Sequence, residues 1–393
     1  METADILVVG LGAMGSAAAY QAAKRGARVI GIDRFAPPHA HGSTHGESRI
    51  TREAVGEGEV YVPFAMRSHR IWREIEAETG ETLFLACGGL FIESGGIAAR
   101  HPGKEQFLDR TIAAAQNFCI AHEVLGAGEI AARYPQFRLS GDERGYFEPG
   151  AGLVRPEACV AAQLTLARCH CAQIRTGETV TRVIPNGDGV RVETDRTVYA
   201  VGKVILAAGA WNGELAGADI PLTVHRQVLF WFEPEDPAPF EPERFPVFIW
   251  MHGDRAEDWF YGFPILPGAP GVKLASETFA DPQQSPDAVQ REIGPGEAEA
   301  LYQGHVAGRL NGLGPTCRQA ATCLYTATPD HHFLIDRHPD SEGILLVSAC
   351  SGHGFKHSAA IGEAAAELAM AGRSTLDLSP FGRARLSGPG PAA

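Results

Sequence analysis

A glycine-rich turn near the N-terminus limits the possible fold more than any other segment of the chain. Gly10, Gly12 and Gly15 follow the apolar run 6–9 and open an alanine-rich segment, after which a second apolar run ends at Asp33. This order of strand, turn, helix, strand and acid is the dinucleotide-binding fingerprint in its full context. The glycines allow a tight turn, close approach of a pyrophosphate and close packing of helix on strand, while the acid can hold ribose hydroxyls. The turn alone leaves open which dinucleotide binds.

Composition limits the class of protein. The chain has 393 residues, 45% hydrophobic and 21% charged, which suits an ordinary globular protein of two domains or one large one. A net charge of −13 speaks against nucleic-acid binding. No apolar run approaches the roughly 20 residues of a membrane span, so we expect no membrane association. The N-terminus leads directly into the first strand, so we expect no signal peptide and a cytoplasmic location.

The eight cysteines are scattered along the chain, which favours a reducing compartment over a disulfide framework. Cys169 and Cys171 flank a histidine, but no second pair with zinc-like spacing follows them. We expect them to end a helix that starts near Pro156, and we predict no metal site.

The order of the predicted elements indicates an α/β fold with an inserted second domain. The apolar run 201–208 is typical of a buried parallel strand. Residues 224–278 alternate aromatic and β-branched residues with Pro and Gly turns, which indicates a mostly antiparallel sheet. We therefore predict a Rossmann-like dinucleotide-binding domain with an inserted α+β substrate domain. The first is assigned residues 1–85, 150–222 and 323–385, and the second residues 86–149 and 223–322.

Three further segments carry a family resemblance. They begin with residues 37–63, which contain Pro-Pro-His, Gly-Ser-Thr-His-Gly-Glu-Ser-Arg-Ile and Tyr-Val-Pro, and continue with Cys-Leu-Tyr-Thr at 323–326 and Ser-Gly-His-Gly-Phe-Lys at 351–356. In this order, after the glycine turn, they resemble the monomeric sarcosine oxidase and N-methyltryptophan oxidase family of flavin amine oxidases. The likeness extends over nearly the whole chain.

The resemblance implies FAD as the cofactor of the Rossmann-like domain. In that family the flavin is bonded to a cysteine in a Cys-x-Tyr-Thr segment, so Cys323 is the expected attachment point. A thiolate is the protein nucleophile best suited to such a bond. A buried, inert cysteine is the alternative interpretation of Cys323 alone.

The reaction implied is oxidation of a secondary amine beside a carboxylate, giving an imine, with O2 reduced to H2O2. Arg52 and Lys356 resemble the pair that binds the substrate carboxylate, for which a planar guanidinium and a lysine point charge are well suited. Lys273 resembles the lysine near the flavin that promotes reaction with oxygen through its charge.

His45 and Arg49 resemble residues packed on the flavin face, and Tyr261 resembles a tyrosine of the active-site wall. We count these three with Lys273 as the catalytic set. The residues expected to bind the cofactor are Gly10, Gly12, Ala13, Met14, Gly15, Asp33, Arg34, Ser43, Thr44, Arg49, Val180, Cys323, Gly352, His353, Gly354 and Lys356.

One position departs from the family pattern in a way that bears on the substrate. Sarcosine oxidases have a histidine where this chain has Glu277, and a carboxylate reverses the charge of that part of the pocket. We assign Glu277 to substrate binding. The hypothesis is that it favours a substrate with an additional or retained positive charge and makes sarcosine itself a poor substrate.

Several other functions are compatible with parts of the sequence. A biosynthetic imino- or amino-acid oxidase or dehydrogenase of the same fold would share these motifs. An NAD-dependent dehydrogenase would need only the glycine turn, and a flavoprotein without turnover would not need the clustered basic residues. The expected partners are a small carboxylate-bearing amine and O2, and the resemblance favours a monomer.

Overall fold

The computed structural model describes residues 2–95, 106–216 and 220–387. Its strands, in chain order, are β1 (Glu2–Val9), β2 (Val29–Asp33), β3 (Arg49–Thr51), β4 (Phe84–Leu85), β5 (Gly89–Glu93), β6 (Glu123–Gly126), β7 (Arg144–Glu148), β8 (Gly152–Val154), β9 (Gln173–Thr176), β10 (Val180–Asn186), β11 (Gly189–Thr194), β12 (Val198–Leu206), β13 (Thr223–Pro234), β14 (Val247–Met251), β15 (Trp259–Gly262), β16 (Val272–Ser276), β17 (Pro282–Gln283), β18 (Leu313–Ala327), β19 (Leu334–His338) and β20 (Ser341–Ser348).

The α-helices, in chain order, are α1 (Ala13–Lys24), α2 (Val62–Thr79), α3 (Phe107–Asn117), α4 (Ala127–Arg133), α5 (Pro156–Cys169), α6 (Asn212–Leu215), α7 (Glu297–Leu301) and α8 (Ser358–Ala371). A 3-10 turn, Phe355–His357, leads into α8. The sequence also predicts a helix over residues 105–118, which corresponds to α3; residue 105 lies outside the described residues. Among the helices of the described residues, none combines the length and apolar character required to cross a bilayer.

A parallel sheet forms the centre of the first domain. Strands β9, β2, β1, β12 and β20 lie side by side in this order and all run parallel. The apolar part of β1 is almost completely buried, because one face of the strand packs on α1 and the other packs on residues of β10 and β11. In this class of fold, ligands bind beyond the carboxyl ends of the parallel strands. At that edge of the sheet Gly10 follows β1, Ala207 follows β12, and Asp33 is the last residue of β2.

The glycine turn fits only because two of its residues lack a side chain. A Cβ at Gly15 would lie 1.7 Å from the carbonyl oxygen of Gly10. Gly10 has a φ of +83°, and a Cβ there would lie 2.6 Å from Ala207 O. On the other side of α1, a Cβ on Gly362 of α8 would lie 2.2 Å from the Ala17 Cβ. Small residues thus bring α1 close to β1, as the fingerprint predicts, and also close to α8.

A second, mostly antiparallel sheet forms the inserted domain. Its order is β17, β13, β16, β15, β14, β5, β7, β6, and β18 pairs with β13. The pair β14 and β5 is parallel. Strand β18 is the long element that joins this sheet to the first domain, and it places Cys323 opposite Gln227.

The predicted division into domains stays a prediction. Its boundary at residue 323 lies inside β18, so the strand passes without a break from one assigned domain to the other. One cavity is lined by residues of both assigned domains, among them Gly10 and Tyr261.

Candidate active site and cofactor cavity

A cavity of about 580 Å³ runs from the glycine turn to the inserted sheet. It lies at the carboxyl ends of β1, β2 and β12, the position expected for a ligand in this class of fold. Its volume is in the range of small-molecule and cofactor sites. Most of the predicted site residues line it: Gly10, Gly12, Ala13, Met14, Asp33, Arg34, Ser43, Thr44, Arg49, Arg52, Val180, Tyr261, Glu277, Gly352, His353, Gly354 and Lys356. The others are set one layer back: Gly15, His45, Lys273 and Cys323.

The nucleotide end of the cavity is organised by Asp33. Its carboxylate accepts hydrogen bonds from the backbone N–H groups of Leu11 and Phe35, each at 2.8 Å. Gly12 is the N-cap of α1, and the N–H of Ala13, the first residue of the helix, donates to Thr44 Oγ1 at 3.4 Å. A Cβ at Gly12 would meet only the Thr44 hydroxyl, at 3.5 Å. Gly12 is therefore not required by packing, and its open backbone suits a phosphate at the helix N-terminus.

The residues present fit an FAD. A buried hydroxyl on the cavity wall, Thr326 Oγ1, has no hydrogen-bond partner among the described residues, as expected for a wall that contacts a polar ligand. The adenosine end would be held by Gly10, Gly12, Asp33 and Val180, with the flavin end nearer to Gly352 and Gly354.

A carboxylate from the inserted domain lies at the adenosine end of the cavity. Asp287 accepts hydrogen bonds from Arg34 Nη1 at 2.8 and 2.9 Å and from Trp211 Nε1 at 3.2 Å. All three residues line the cavity. Asp287 could not be assigned a role from the sequence, because its partners come from two other segments.

The two cations predicted to bind a carboxylate share one acid inside the protein. Arg52 Nη2 pairs with Glu57 Oε2 at 2.7 Å, and Lys356 Nζ lies 3.6 Å from Glu57 Oε1. All three side chains are at most 5% exposed. Arg52 Nε has no hydrogen-bond partner among the described residues, and the guanidinium lies over the rings of Phe91 and Phe107. The three side chains together carry one positive formal charge.

Arg49 connects the cavity to the predicted attachment point. Its Nη2 donates to Ser43 O at 2.9 Å and lies 3.5 Å from Cys323 Sγ. Cys323 is 1% exposed, and its Sγ is 3.6 Å from Ser43 O. Burial, and next the charge of Arg49, lower the pKa of His45 to about 4, so its imidazole is neutral at pH 7.

Lys273 is fully buried on β16. Its Nζ donates to Gly46 O at 2.7 Å and to Ser48 O at 2.5 Å, and it lies 3.9 Å from the centroid of Phe263. Burial, followed by the charge of Arg49, lowers the pKa of Lys273 well below its usual value. The lysine thus holds the turn that carries Arg49.

Two tyrosines and an acid form another part of the cavity wall. Tyr325 Oη lies 3.5 Å from both Tyr261 Oη and Glu277 Oε1. Burial is the main cause that raises the pKa of Tyr261, and Glu277 raises it further. Tyr325 was not assigned a role from the sequence, although its place two residues after Cys323 on one strand puts both side chains on the same face.

Comparisons with known proteins identify the family of the chain. Residues 5–368 match the family model for FAD dependent oxidoreductase. The chain is 37% identical over 391 residues to a monomeric sarcosine oxidase of Streptomyces avermitilis, covering 98% of each chain. It is 32% identical to an N-methyl-L-tryptophan oxidase of Salmonella dublin, covering 98% of this chain and 99% of that protein.

A solved structure of NikD, described as an unusual amino acid oxidase essential for nikkomycin biosynthesis, superimposes with a TM-score of 0.84 at 27% identity and covers 97% of this chain and 98% of that one. The predicted resemblance, fold class, use of FAD and enzyme class, a flavin-dependent amine oxidoreductase, are confirmed. The roles of the individual site residues stay predictions. The chain belongs to the family of FAD-dependent oxidoreductases.

Proposed function

We propose that the protein oxidises the secondary amine of an N-methyl or cyclic amino acid to an imine, with O2 reduced to H2O2. Both named relatives support this reaction class, since one is a sarcosine oxidase and the other an N-methyl-L-tryptophan oxidase. A bound flavin supplies the two-electron chemistry at the carbon beside nitrogen, and the protein supplies position and charge.

The observation that carries the proposal is the buried group of Arg52, Glu57 and Lys356. Burial of two cations with one acid leaves one positive formal charge in a water-poor site. A substrate carboxylate would neutralise it, which favours an amino acid over a simple amine. The partnerless Nε of Arg52 can donate the further hydrogen bond that a carboxylate accepts from a guanidinium.

Arg49, His45 and Lys273 are assigned to the flavin side of the site. Arg49 lines the cavity, and the neutral His45 adds no charge beside it. Lys273 is the buried amine that would stabilise negative charge as oxygen is reduced. Tyr261 would form a wall beside the substrate.

Cys323 is assigned as the covalent attachment point of the flavin through a thioether. The position of Cys323 supports this assignment, since its Sγ lies 3.5 Å from Arg49, a residue that lines the cavity proposed to hold the flavin.

Glu277 is assigned to selection of the substrate. It lines the cavity next to the hydroxyl of Tyr325, and it is 7% exposed. A buried carboxylate on the wall of the substrate region would favour a substrate that carries positive charge there.

We further infer that the enzyme acts as a monomer in the cytoplasm, with no nucleic-acid or membrane partner. The name of the Streptomyces avermitilis relative supports the monomer. Eight free cysteines suit a reducing compartment.

Anaerobic mixing with a panel of sarcosine, N-methyltryptophan, proline, pipecolate and dehydroproline analogues tests the proposal. Loss of flavin absorbance with one of these compounds identifies the electron donor. Under air, the same compound should yield one equivalent of H2O2 per turnover. Flavin reduction without peroxide would assign a dehydrogenase of the same fold instead, and no reduction by any secondary amino acid would contradict the proposal.

A further inference from the structure

We propose that the hydroxyl of Tyr61 and the imidazole of His332 are positioning residues that set the geometry of the carboxylate clamp, defined as Arg52, Glu57 and Lys356. The inference rests on the proposed function, because it concerns how that clamp is held. The two residues belong to separate motifs in the sequence, and neither contacts the substrate region directly.

The first step is the bond itself. Tyr61 Oη and His332 Nδ1 are 2.6 Å apart, and Tyr61 is completely buried. A neutral imidazole can accept the phenol proton at Nδ1, so we assign Tyr61 as donor and His332 as acceptor. Burial lowers the pKa of His332, which keeps this acceptor available at neutral pH.

The second step is the link from Tyr61 to the clamp. Tyr61 lies in the 3-10 turn that follows Glu57, and its backbone N–H donates to Gly58 O at 3.1 Å. Its ring packs edge-on against His353 at 4.9 Å. The carbonyl oxygen of His353 accepts a hydrogen bond of 2.8 Å from Lys356 Nζ. Tyr61 therefore contacts Gly58, the residue after Glu57, and His353, whose carbonyl group binds Lys356.

The third step is the anchor of His332. Its carbonyl oxygen accepts hydrogen bonds from Thr328 Oγ1 at 2.5 Å and Ser351 Oγ at 3.3 Å. Ser351 starts the turn that carries Lys356, and its φ is +40°, an unfavourable value for serine. The His332 backbone therefore helps to hold a strained turn in place.

The C-terminal segment braces the same group from behind. Arg385 donates to Asp330 Oδ2 at 2.8 Å and to Phe333 O at 2.6 Å, and Asp330 Oδ1 accepts from the His332 N–H at 3.2 Å. The ring of Phe381 packs 5.4 Å from that of Tyr61. The end of the chain is thus connected to the clamp through His332 and Tyr61.

Titration of the holoprotein with methoxyacetate tests the inference. This carboxylate has an ether oxygen in place of the amine and cannot be oxidised as an amine, and its binding is followed by the flavin spectrum. Tyr61→Phe keeps the packed ring and removes only the hydroxyl. We expect its Kd for methoxyacetate to rise about tenfold, the effect of one lost hydrogen bond. With substrate, KM should rise while kcat changes much less.

Substitutions of His332 supply the matched pair. His332→Asn places an amide oxygen near the former Nδ1 and should keep Kd within about twofold, whereas His332→Leu should weaken binding about as much as Tyr61→Phe. Tyr20→Phe is the control, because Tyr20 is a buried tyrosine whose hydroxyl bonds to Lys24 and Glu78 away from the cavity.

Unchanged Kd in Tyr61→Phe and His332→Leu would overturn the inference while leaving the proposed function intact. Equal weakening by Tyr20→Phe would also overturn it, since the effect would then reflect general stability. Neutral methoxyacetamide should bind all variants with the same Kd. If the variants lose affinity for methoxyacetamide as much as for methoxyacetate, the substitutions do not act through the carboxylate clamp. If the unaltered protein binds no methoxyacetate, the clamp assignment itself fails and this inference falls with it.

Discussion

Arg52 donates a 2.7 Å hydrogen bond to Glu57, and both side chains are buried, with the Arg52 guanidinium over the rings of Phe91 and Phe107. Lys356 approaches the same carboxylate. The protein thus holds an internal acid between the two cations proposed to bind the substrate carboxylate. Such a buried group is sensitive to loss of any one charge, because the remaining charges stay uncompensated.

Glu57→Gln should therefore destabilise the protein and make it more dependent on ligand. We expect the free energy of unfolding to fall by about 3 kcal/mol, since two buried cations lose their acid. Saturating methoxyacetate should restore more stability in the variant than in the unaltered protein, as measured by urea unfolding of the holoprotein. Glu363→Gln is the control, because Glu363 pairs with Arg67 and Arg25 outside the cavity. Equal stabilisation of both variants by the ligand would contradict the prediction.

Cys323→Ala should release the flavin when the protein is precipitated with acid. The supernatant should then be yellow and the pellet colourless, whereas the unaltered protein should keep its colour in the pellet. Cys350→Ala is the matched control, since Cys350 also lines the cavity and its thiol pKa is raised by burial. If the Cys323→Ala pellet keeps its flavin and the Cys350→Ala pellet loses it, the attachment point is Cys350 and the prediction is wrong.

Lowering the pH should destabilise the folded protein, and part of this loss should depend on His45. Its folded pKa is about 4, against 6.5 for an unperturbed histidine. In the unfolded chain the His45 imidazole takes up a proton near pH 6.5, whereas in the folded protein it stays neutral. The contribution of His45 to the free energy of unfolding is therefore fully present above pH 6.5 and is lost as the pH falls toward 4. Between pH 7 and 5 this residue should cost about 2 kcal/mol. His45→Asn should remove that part of the loss in urea unfolding. An equal loss in the variant would assign the whole effect to other groups.

Asp287→Asn should speed the release of FAD once the covalent bond is absent. In a Cys323→Ala background, loss of the contacts to Arg34 and Trp211 opens the adenosine end of the cavity. Because the acid is half-exposed, we expect the dissociation rate to rise only about two- to fivefold, measured by the fluorescence of released FAD. Glu233→Gln is the control in the same background, since it breaks an exposed pair with Arg318 on the inserted sheet. The same acceleration in both variants would remove any special role of Asp287.

The sequence predicted those parts of the site that depend on local chemistry. The glycine turn and Asp33 could be identified because turn, helix and strand follow one another within one short stretch. Arg52 and Lys356 could be assigned only by resemblance, since they come from opposite ends of the chain. Glu57, Asp287 and the bond between Tyr61 and His332 could not be assigned at all. Each gains its role from a partner in a distant segment, and no spacing or periodicity encodes such a contact.

Glu277→Gln should lower the preference for substrates with a second positive charge while keeping the shape of the pocket. We expect the ratio of kcat/KM for Nα-methyl-lysine to that for sarcosine to fall about tenfold or more, because a buried carboxylate stabilises a cation that a neutral amide does not. Glu277→Asp keeps the charge and should keep the order of the two substrates. Glu277→His should shift the preference toward sarcosine. If the substrate ranking is the same in all of these variants, the charge of Glu277 plays no part in selection, and the pocket must distinguish substrates by shape alone.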